Sequence, residues 1–531
     1  MQQAFSLFRK RWGISILLGL IILFYFFNGI HYLRSQSITS DEASFMDYTI
    51  RFLKGQPDRT HPRTDNSKMP VIVLNTLPRV AQDIINPGQE KTDGGASDIL
   101  NGRYVTLIVS AFTILLVFGW SRELYGEKAG LFSAFLFSVC PNNLANAGLV
   151  TTDSYAVFFL LLGMYLLWKF CLVKSNRYFI LFSLVVALSQ LVKQSLFHFY
   201  VLAPLCLLTY YLVNRHPFRW RIFTKRLLIF LVINFVIINA GYYFHQSFRA
   251  AGDYTFMSSL FQALQSVFPA SFPIPFPVPF TEGLDMAKYY DQVGGGIDKL
   301  SSFGKVTILG RARTGDGFWY YYFVSLFYKT PIAYLIFIGW GLISLFRKTN
   351  LLGFFSREFF LLAPVIYFLV LMSFFYQTQC GIRHIIFIFP FLFIFSGILI
   401  RHLSGAATKI ICGLICLYLL LSVLRYWGNY FPYTNEFILD KKMAYAKVGT
   451  ANLEFQQGYF FAQDYMKDHP DVQWAPKQAT SGKFIISTED YLDIWNRKEF
   501  EWISRYPPSG HVAYNYLLID TGEKIGTKPG P

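Results

Sequence analysis

Apolar stretches long enough to cross a lipid bilayer recur along most of this 531-residue chain. A membrane-spanning helix needs about 20 predominantly apolar residues, and inside a bilayer the backbone polar groups can be satisfied only within helices or closed barrels. The composition agrees, because 53% of the residues are hydrophobic and 15% are charged, against about 25% charged in soluble domains. The sequence therefore predicts an all-α polytopic membrane protein.

The apolar pattern predicts about eleven transmembrane helices. The first follows a basic flank and has no small-residue cleavage site after it, which favours a retained helix over a signal peptide. The predicted spans are 13–33, 102–120, 129–148, 154–172, 179–192, 197–213, 227–246, 330–346, 358–376, 384–400 and 407–427.

The basic residues give these spans an orientation. The formal net charge is +16, but the lysines and arginines cluster in short loops between apolar segments. That pattern is typical of the positive-inside rule and excludes a nucleic-acid role. With a cytoplasmic N-terminus, the basic loops that fall inside are those with Arg122 and Lys128, with Lys174 and Arg177, and at 215–226, 346–357 and 401–409.

Three long segments then lie outside the membrane. They are a first loop at 34–101, a long loop at 247–329 that contains alternating prolines, and a tail from 428 to 531. The tail has mixed composition with strand-like runs such as KFIIS and YLLID, which predicts a small external α+β domain. We therefore expect a membrane-embedded domain at 1–427 and an external C-terminal domain at 428–531.

The residues with the clearest chemical potential follow the first span. Asp41 and Glu42 are adjacent in ITSDEASF, and Lys68 follows in NSKMP. A pair of carboxylates beside a membrane, followed by a lysine, can abstract a proton and hold a phosphate. The two acids can also simply cap the amphipathic helix that begins after Thr39 or Ser40.

Several motifs in order resemble those of one enzyme superfamily. After the acidic pair and Lys68 they are NGRYVTLIVSAFTILLVFGWSRELYG, CPNNLANAGLVTTDSYAVFF, YYYFVSLFYKTP and GIRHIIFIFPF. The chain is similar to the dolichyl-phosphate-mannose protein mannosyltransferase superfamily, in its bacterial branch. These are GT-C-class glycosyltransferases that take a sugar from a polyprenyl-phosphate carrier, and they include aminoarabinose lipid A transferases.

The resemblance extends into the tail. The run NLEFQQGYFFAQDYM is similar to the family's Asn-x-Asp-Trp-Gly-Gln segment. Glu454 stands where the family has Asp, Phe455 where it has Trp, and Gln456 where it has Gly. This departure weakens the case for a direct role of the segment.

Transfer from a lipid-phosphate sugar requires a base for the acceptor hydroxyl and cations for the departing phosphate. Asp41 fits the base, with Glu42 positioning it or the acceptor. The resemblance makes Asp153 the second acid of the site, although an Asp at a helix entry can also be an N-cap, a role for which Thr152 competes.

The candidate ligands of the donor phosphate are Lys68, Lys193, Lys329 and Arg383, which all fall near the external membrane face. A cation beside an apolar stretch is costly unless it is paired or functional, and the planar fork of an arginine suits a phosphate. The same side chains can instead extend to the interface with their charges in water. Arg103 enters a helix in a similar way, and we expect it to pair with an acid of the first loop.

The sequence offers no metal-ligand spacing among its nine histidines and six cysteines. No metal ligands are therefore assigned, while the resemblance leaves a divalent metal ion open as a cofactor, since some members bind one. The implied partners are a polyprenyl-phosphate sugar donor, membrane lipid, and a lipid, glycan or protein acceptor. The expected location is a bacterial inner membrane with the site on the periplasmic face. The alternatives are a transporter or flippase of lipid-linked sugars and a non-catalytic scaffold.

Overall fold

A computed structural model describes residues 2–60, 65–86, 95–215, 217, 219–293, 304–449 and 451–522. The α-helices of these residues are α1 (Gln2–Ser35), α2 (Ser40–Leu53), α3 (Leu77–Ile85), α4 (Ala96–Tyr125), α5 (Glu127–Ser138), α6 (Pro141–Asn146), α7 (Asp153–Val173), α8 (Asn176–Ser189), α9 (Phe199–Val213), α10 (Trp220–Gly241), α11 (Ser259–Val267), α12 (Val278–Val293), α13 (Tyr321–Lys329), α14 (Ile332–Lys348), α15 (Leu351–Ser356), α16 (Phe359–Phe374), α17 (Phe389–Ser396), α18 (Ile398–His402), α19 (Ala406–Leu424), α20 (Tyr459–Asp468) and α21 (Thr488–Tyr491).

Short 3-10 turns and strands complete the described elements. The 3-10 turns are Pro70–Thr76, Gln194–His198, Ala251–Asp253, Ile382–Ile388, Lys441–Ala446 and Ile503–Arg505. The strands are β1 (Lys305–Ile308), β2 (Arg311–Thr314), β3 (Val472–Trp474), β4 (Lys483–Ser487), β5 (Gly510–Val512) and β6 (Tyr516–Asp520).

The predicted fold class is confirmed, since the structure is mostly helical and carries repeated apolar helices of spanning length. In the described ranges, seven helical segments are long and apolar enough to cross a membrane, and the bent pair α13 and α14 makes an eighth if it is one span. These segments are Trp12–Ser35, Ala96–Tyr125, Asp153–Val173, Gln194–Val213, Trp220–Gly241, Ile382–His402 and Ala406–Leu424.

The prediction of about eleven spans differs from this number for local reasons. The predicted spans at 179–192 and 358–376 coincide with α8 and α16, which are apolar but shorter than 18 residues. The predicted span at 129–148 is divided into α5 and α6, and Pro141 opens the second of them. A proline inside a helix removes a hydrogen bond and clashes with the preceding turn, so the helix ends before it.

The apolar helices share one core. Helix α4 packs against α1, α5 and α7, and α7 continues the layer to α8. The segment Ile382–His402 lies at the centre, because 83% of the residues in its most apolar stretch are buried. In α10 the corresponding share of buried residues is 17%. The site described below lies where this central segment begins.

The tail contains a mixed four-stranded sheet in the order β3-β4-β6-β5. Strands β3 and β4 are parallel, and the other two pairs are antiparallel. The two predicted runs KFIIS and YLLID are β4 and β6, and they pair with each other. Because side chains alternate along a strand, Phe484 and Ile486 pack on one face with Ile503, while Ile485 packs on the other with Ala462 of α20.

The tail and the membrane helices are joined by shared packing. Tyr430, Tyr433 and Phe455 belong to the same hydrophobic core as the spans, although they follow the predicted boundary at 427 and 428. The division into two domains at that boundary stays a prediction.

Candidate active site

The two adjacent acids of the first loop point in different directions from the start of α2. Thr39 is the N-cap, and its backbone N–H donates to Glu42 Oε2 at 2.9 Å, which is the reciprocal half of a capping box. Asp41, one residue earlier, is 32% exposed. On a helix, neighbouring residues lie about 100° apart, so one acid enters the core and the other faces the surface.

Glu42 is completely buried in an ion pair with Arg103 of α4. Nε of Arg103 donates to Oε1 at 2.8 Å and Nη2 donates to Oε2 at 2.6 Å. The remaining guanidinium N–H groups donate to the carbonyls of Leu33, Gln36 and Ser37. The predicted pairing of Arg103 with a first-loop acid is confirmed, and it fixes the end of α1 to the start of α2.

Asp41 pairs with a different arginine, which comes from the central span. Nη1 of Arg383 donates to Asp41 Oδ2 at 2.9 Å, and the guanidinium lies over the Phe455 ring at 4.1 Å from its centroid. Arg383 is 14% exposed. Within the described residues its buried Nε has no hydrogen-bond partner. The arginine therefore keeps an unused donor beside the partly exposed acid.

The backbone before Arg383 explains how it reaches this place. Gly381 has φ +74° and lies so close to the tail that a Cβ there would overlap the carbonyl oxygen of Ala451. Glycine adopts this conformation without steric cost. The next N–H, that of Ile382, donates to Asn452 Oδ1 at 3.0 Å. The tail segment that resembles the family motif thus holds the start of the central span.

Lys68 lies beside the same acid. Its Nζ stands 3.5 Å from the centroid of the Phe45 ring, and the side chain is 2% exposed. Burial lowers the pKa of Lys68 to about 8, although Asp41 and Asp65 act to raise it. Among the described residues it forms no ion pair, and Arg59 Nη2 donates to its carbonyl at 3.0 Å and holds the backbone in position.

Asp153 is the first residue of α7, with Thr152 as the N-cap. Its Oδ1 is paired with Nζ of Lys193, and Arg383 and His384 also act on it electrostatically. An acid in the first turn is favoured by the helix dipole. The position therefore combines a structural preference with proximity to Arg383.

Five of the seven predicted site residues thus form one group, which we call the ionic cluster: Asp41, Lys68, Asp153, Lys193 and Arg383. Electrostatic interactions connect Arg383 to Asp41 and to Asp153, and connect Lys68 to Asp41 and Arg383. The cluster contains two carboxylates and three cations. It therefore has one cation in excess, which suits it to an anionic ligand.

The other two predicted residues lie outside the ionic cluster. Glu42 is occupied by Arg103 and by the backbone N–H of Val150 at 3.1 Å. Lys329 is 1% exposed, and its Nζ donates to the carbonyls of Phe431 and Asn452, each at 2.6 Å. These contacts tie the tail to α13, and the donor-phosphate role of Lys329 stays a prediction.

Glu489 was not among the predicted site residues, although it acts electrostatically on this site. It stands near the start of the short helix α21, and both Arg383 and Asp41 act on its carboxyl group. Burial and the neighbouring Asp490 raise its pKa to about 8. The available signal was the acidic pair of STEDYL directly after the strand-like run KFIIS.

The described side chains do not form a metal site. In the ranges that the structure describes, no three His, Cys, Asp or Glu side chains come together as a group that could hold a metal ion. The carboxylates of the ionic cluster are instead paired with Arg383 and Lys193. The residues present therefore do not fit a divalent ion at this place.

Comparison with known proteins gives one family match and several distant structural likenesses. Among curated proteins no sequence relative matches the chain. ArnT from Cupriavidus metallidurans, in a crystal structure bound to undecaprenyl phosphate, is 11% identical, with 95% of this chain and 97% of that chain covered and a TM-score of 0.48. The oligosaccharyltransferase of Archaeoglobus fulgidus in its apo form is 14% identical, with 92% and 60% covered and a TM-score of 0.48.

The family match lies in the membrane part. Residues 95–241 match the family described as dolichyl-phosphate-mannose-protein mannosyltransferase, and this range contains Arg103, Asp153 and Lys193. The match confirms over those residues the resemblance that the motifs predict. Over 147 of its 531 residues, the chain is therefore similar to this mannosyltransferase family.

Proposed function

We propose that this protein transfers a sugar from a polyprenyl-phosphate carrier to a hydroxyl acceptor at the external face of a membrane. The observation that carries the proposal is the ionic cluster. In it Oδ2 of the partly exposed Asp41 lies 2.9 Å from Nη1 of Arg383, at the start of the central span. A base and an excess of cations then lie together at a membrane boundary. This combination is what transfer from a lipid phosphate requires.

The cations account for the donor. Arg383 has an unpartnered buried Nε among the described residues, and Lys68 forms no ion pair there. Guanidinium and ammonium groups make strong charge-assisted hydrogen bonds to phosphate oxygens. Both residues are therefore available for the phosphate of a lipid carrier, and Lys193 neutralises Asp153 nearby.

Asp41 accounts for the activation of the acceptor. Within the described residues, the hydrogen bond from Arg383 is the one hydrogen bond of its carboxylate, so Oδ1 is available to an acceptor hydroxyl. In the reaction the proton of the acceptor hydroxyl passes to Asp41, and the acceptor oxygen attacks the anomeric carbon of the donor sugar. The bond between that carbon and the phosphate oxygen breaks, and the lipid phosphate departs with the electron pair and one additional negative charge. Arg383 and Lys68 stabilise that charge.

Glu42 has a positioning role in this scheme. Its ion pair with Arg103 is fully buried, so it touches no substrate. Through the capping box it sets the first turn of α2, and that turn carries Asp41. This role corresponds to the one that the sequence assigns to Glu42.

The placement of charges supports an external site. Ends of helices that carry the predicted inner loops contact one another: Arg401 Nη1 donates to the Leu124 carbonyl at 3.4 Å, and Tyr125 donates to Glu358 at 3.3 Å. The ionic cluster lies at the opposite ends of the corresponding spans, at the starts of α7 and of Ile382–His402. If the basic loops face the cytoplasm, the cluster faces outward, which is the periplasm for a bacterial inner membrane.

Transfer assays with the purified full-length protein test the function. Labelled polyprenyl-phosphate sugars are offered with lipid, glycan and protein extracts, and the labelled product is separated by class. We expect label in one acceptor class, and no label when the extract is omitted. Movement of the lipid-linked sugar across vesicle membranes without transfer to any acceptor would contradict the proposal and favour a flippase.

Cysteine labelling tests the orientation. Single cysteines near residues 60, 290 and 480 should react with an impermeant reagent added from outside, and those near 220 and 350 should react only after permeabilisation. Labelling of intact cells near 220 would overturn the assignment of the external face.

A further inference from the structure

A cavity lies between the tail sheet and the segment that leads into α2. Its volume is about 840 Å³, within the range of about 300–1,000 Å³ that small-molecule sites have. Ser37 and Ile38 form one wall, and strands β3, β4 and β6 contribute to another. We call this space the tail cavity.

Aromatic side chains dominate one part of the tail cavity. Trp474 and Tyr459 are stacked, with ring centroids 5.7 Å apart and planes 8° from parallel. Tyr516 meets Trp474 edge-on at 5.8 Å. Trp474 and Tyr459 are 40% and 41% exposed, although rings of this size are usually largely buried. They form a flat, accessible surface to which the C–H face of a sugar ring can pack.

Carboxyl groups also line the tail cavity. They belong to Glu454, Glu489 and Asp490, and among the described residues of the lining Arg497 is the single basic one. Glu454 accepts hydrogen bonds from Asn515 and from the Gln456 N–H. Asp490 accepts one from the Ser487 hydroxyl at 2.9 Å. Carboxyl groups accept hydrogen bonds from hydroxyl and amino groups, and in their ionised form they also disfavour anions.

Residues that line the tail cavity adjoin residues of the proposed reaction centre. Ile38 of its wall precedes Asp41 by three residues, and Glu454 directly precedes Phe455, whose ring supports the Arg383 guanidinium. Arg383 and Asp41 also act electrostatically on Glu489. A ligand in the cavity would therefore lie beside the segments that carry Asp41 and support Arg383, with the donor phosphate at the cations of the ionic cluster.

We propose that the tail cavity is an acceptor subsite that binds an uncharged or cationic sugar residue through the Trp474 and Tyr459 surface and the carboxyl groups. The assignment of the bound sugar as the acceptor rests on the proposed function. The recognition of a sugar rests on the cavity itself. A free glycan and the headgroup of a glycolipid share this chemistry.

Direct binding to the full-length protein in nanodiscs tests the inference. The probes are an N-acetylglucosamine oligomer, a glucosamine oligomer, an oligogalacturonate of similar length and a serine-rich and threonine-rich peptide, observed by saturation-transfer NMR. We expect binding of the first two and little binding of the acidic oligomer or the peptide. Binding of the peptide in place of the neutral and cationic oligomers would overturn the proposal.

Matched tryptophan variants locate the binding. Trp474→Ala should weaken oligomer binding about tenfold, and Trp474→Phe should restore most of it because it keeps an aromatic face. Trp319→Ala is the control, since Trp319 is 60% exposed and stacks on Phe374 at 5.9 Å and 12° outside the cavity. Equal losses in Trp474→Ala and Trp319→Ala, or no rescue by Trp474→Phe, would contradict the assignment.

The readout separates this inference from the proposed function. Asp41→Asn removes the base but leaves the cavity lining, so it should bind the oligomers like the wild type. Oligomer binding without transfer from any donor would contradict the proposed function and leave the sugar site standing. Transfer without oligomer binding would contradict the sugar site. Offering the same oligosaccharide free and as a glycolipid then identifies the source.

Discussion

Two adjacent acids of the first loop each pair with an arginine, and the two pairs differ in solvent exposure and in hydrogen bonding. Glu42 and Arg103 are both 0% exposed, and each partner is surrounded by further hydrogen bonds. Asp41 and Arg383 are 32% and 14% exposed, and the arginine retains an unpartnered Nε among the described residues. The first pair joins helices, whereas the second leaves hydrogen-bonding capacity for a ligand.

The two pairs carry the same charges and differ in how many of their hydrogen bonds are satisfied, and we expect this difference to separate a structural pair from a functional one. A buried pair whose donors and acceptors are all used cannot engage a substrate without first being broken. A pair at a surface with unused atoms can bind one at little cost. The predictions below address this contrast, from the largest expected effect to the smallest.

Removing Arg103 should have the largest effect on stability. Arg103→Met leaves Glu42 as an uncompensated buried charge, and loss of one partner of a buried pair destabilises by about 3–5 kcal/mol. We expect a marked fall in the thermal midpoint of the detergent-solubilised protein. Arg383→Met is the matched control and should shift the midpoint much less, because its partner Asp41 is solvated. Equal shifts would remove the distinction between the two pairs.

Replacing Asp41 and Glu42 by their amides should affect activity in one case and stability in the other. Asp41→Asn keeps the shape of the side chain but removes its proton affinity, so turnover should fall about 100-fold with an unchanged thermal midpoint. Glu42→Gln should lower the midpoint and reduce turnover less per folded molecule. Asp47→Asn, an acid that is 65% exposed on the same helix, serves as the control. Normal transfer by folded Asp41→Asn would rule out Asp41 as the base.

Removing the charge of Lys68 should weaken use of the donor. Lys68→Met keeps much of the stem and removes the charge, and we expect about a tenfold loss in kcat/KM for the polyprenyl-phosphate sugar, the equivalent of about 1.4 kcal/mol. The KM for the acceptor should stay nearly constant. Lys54→Met changes an exposed lysine of the same loop and should be silent. A changed acceptor KM with normal donor kinetics would move Lys68 to the acceptor side.

The smallest expected effect is a pH dependence of donor use. Burial lowers the pKa of Lys68 from 10.5 to about 8. The positive charges of Arg383 and Arg59 also lower it, whereas the carboxylates of Asp41 and Asp65 raise it. Its ammonium form therefore declines as the pH rises through about 8, and donor kcat/KM should fall to about half there. Between pH 8 and 10.5 the unfolded state binds more protons, so the contribution of Lys68 to the free energy of unfolding increases with pH.

A comparison of pH profiles provides the measurement. The wild type should show the alkaline fall in kcat/KM, and Lys68→Met should lack it. An identical alkaline limb in both proteins would assign the titration to another group.

Prediction from sequence succeeded where one physical signal dominates a stretch of chain. Hydropathy and the spacing of basic loops gave the helical membrane class, and the partner type of Arg103 followed from its place at a helix entry. Prediction was less accurate for α5 and α6, where Pro141 divides an apolar stretch. It also missed Glu489, because no local pattern shows that α21 lies near a loop that precedes it by over 400 residues.

The amino-acid sequence by itself determined that the chain is an α-helical membrane protein, which loops are basic, and that acids and cations occur beside helix ends. Hydrophobicity, charge and helix periodicity act over short distances along the chain, so they can be recognised in the sequence. Only the tertiary structure decided that Glu42 pairs with Arg103 and that Asp41 pairs with Arg383. It also decided that the ammonium group of Lys329 donates its hydrogen bonds to backbone carbonyls. Such partners come from distant segments, and the packing of the spans selects among residues that are chemically equivalent in the sequence.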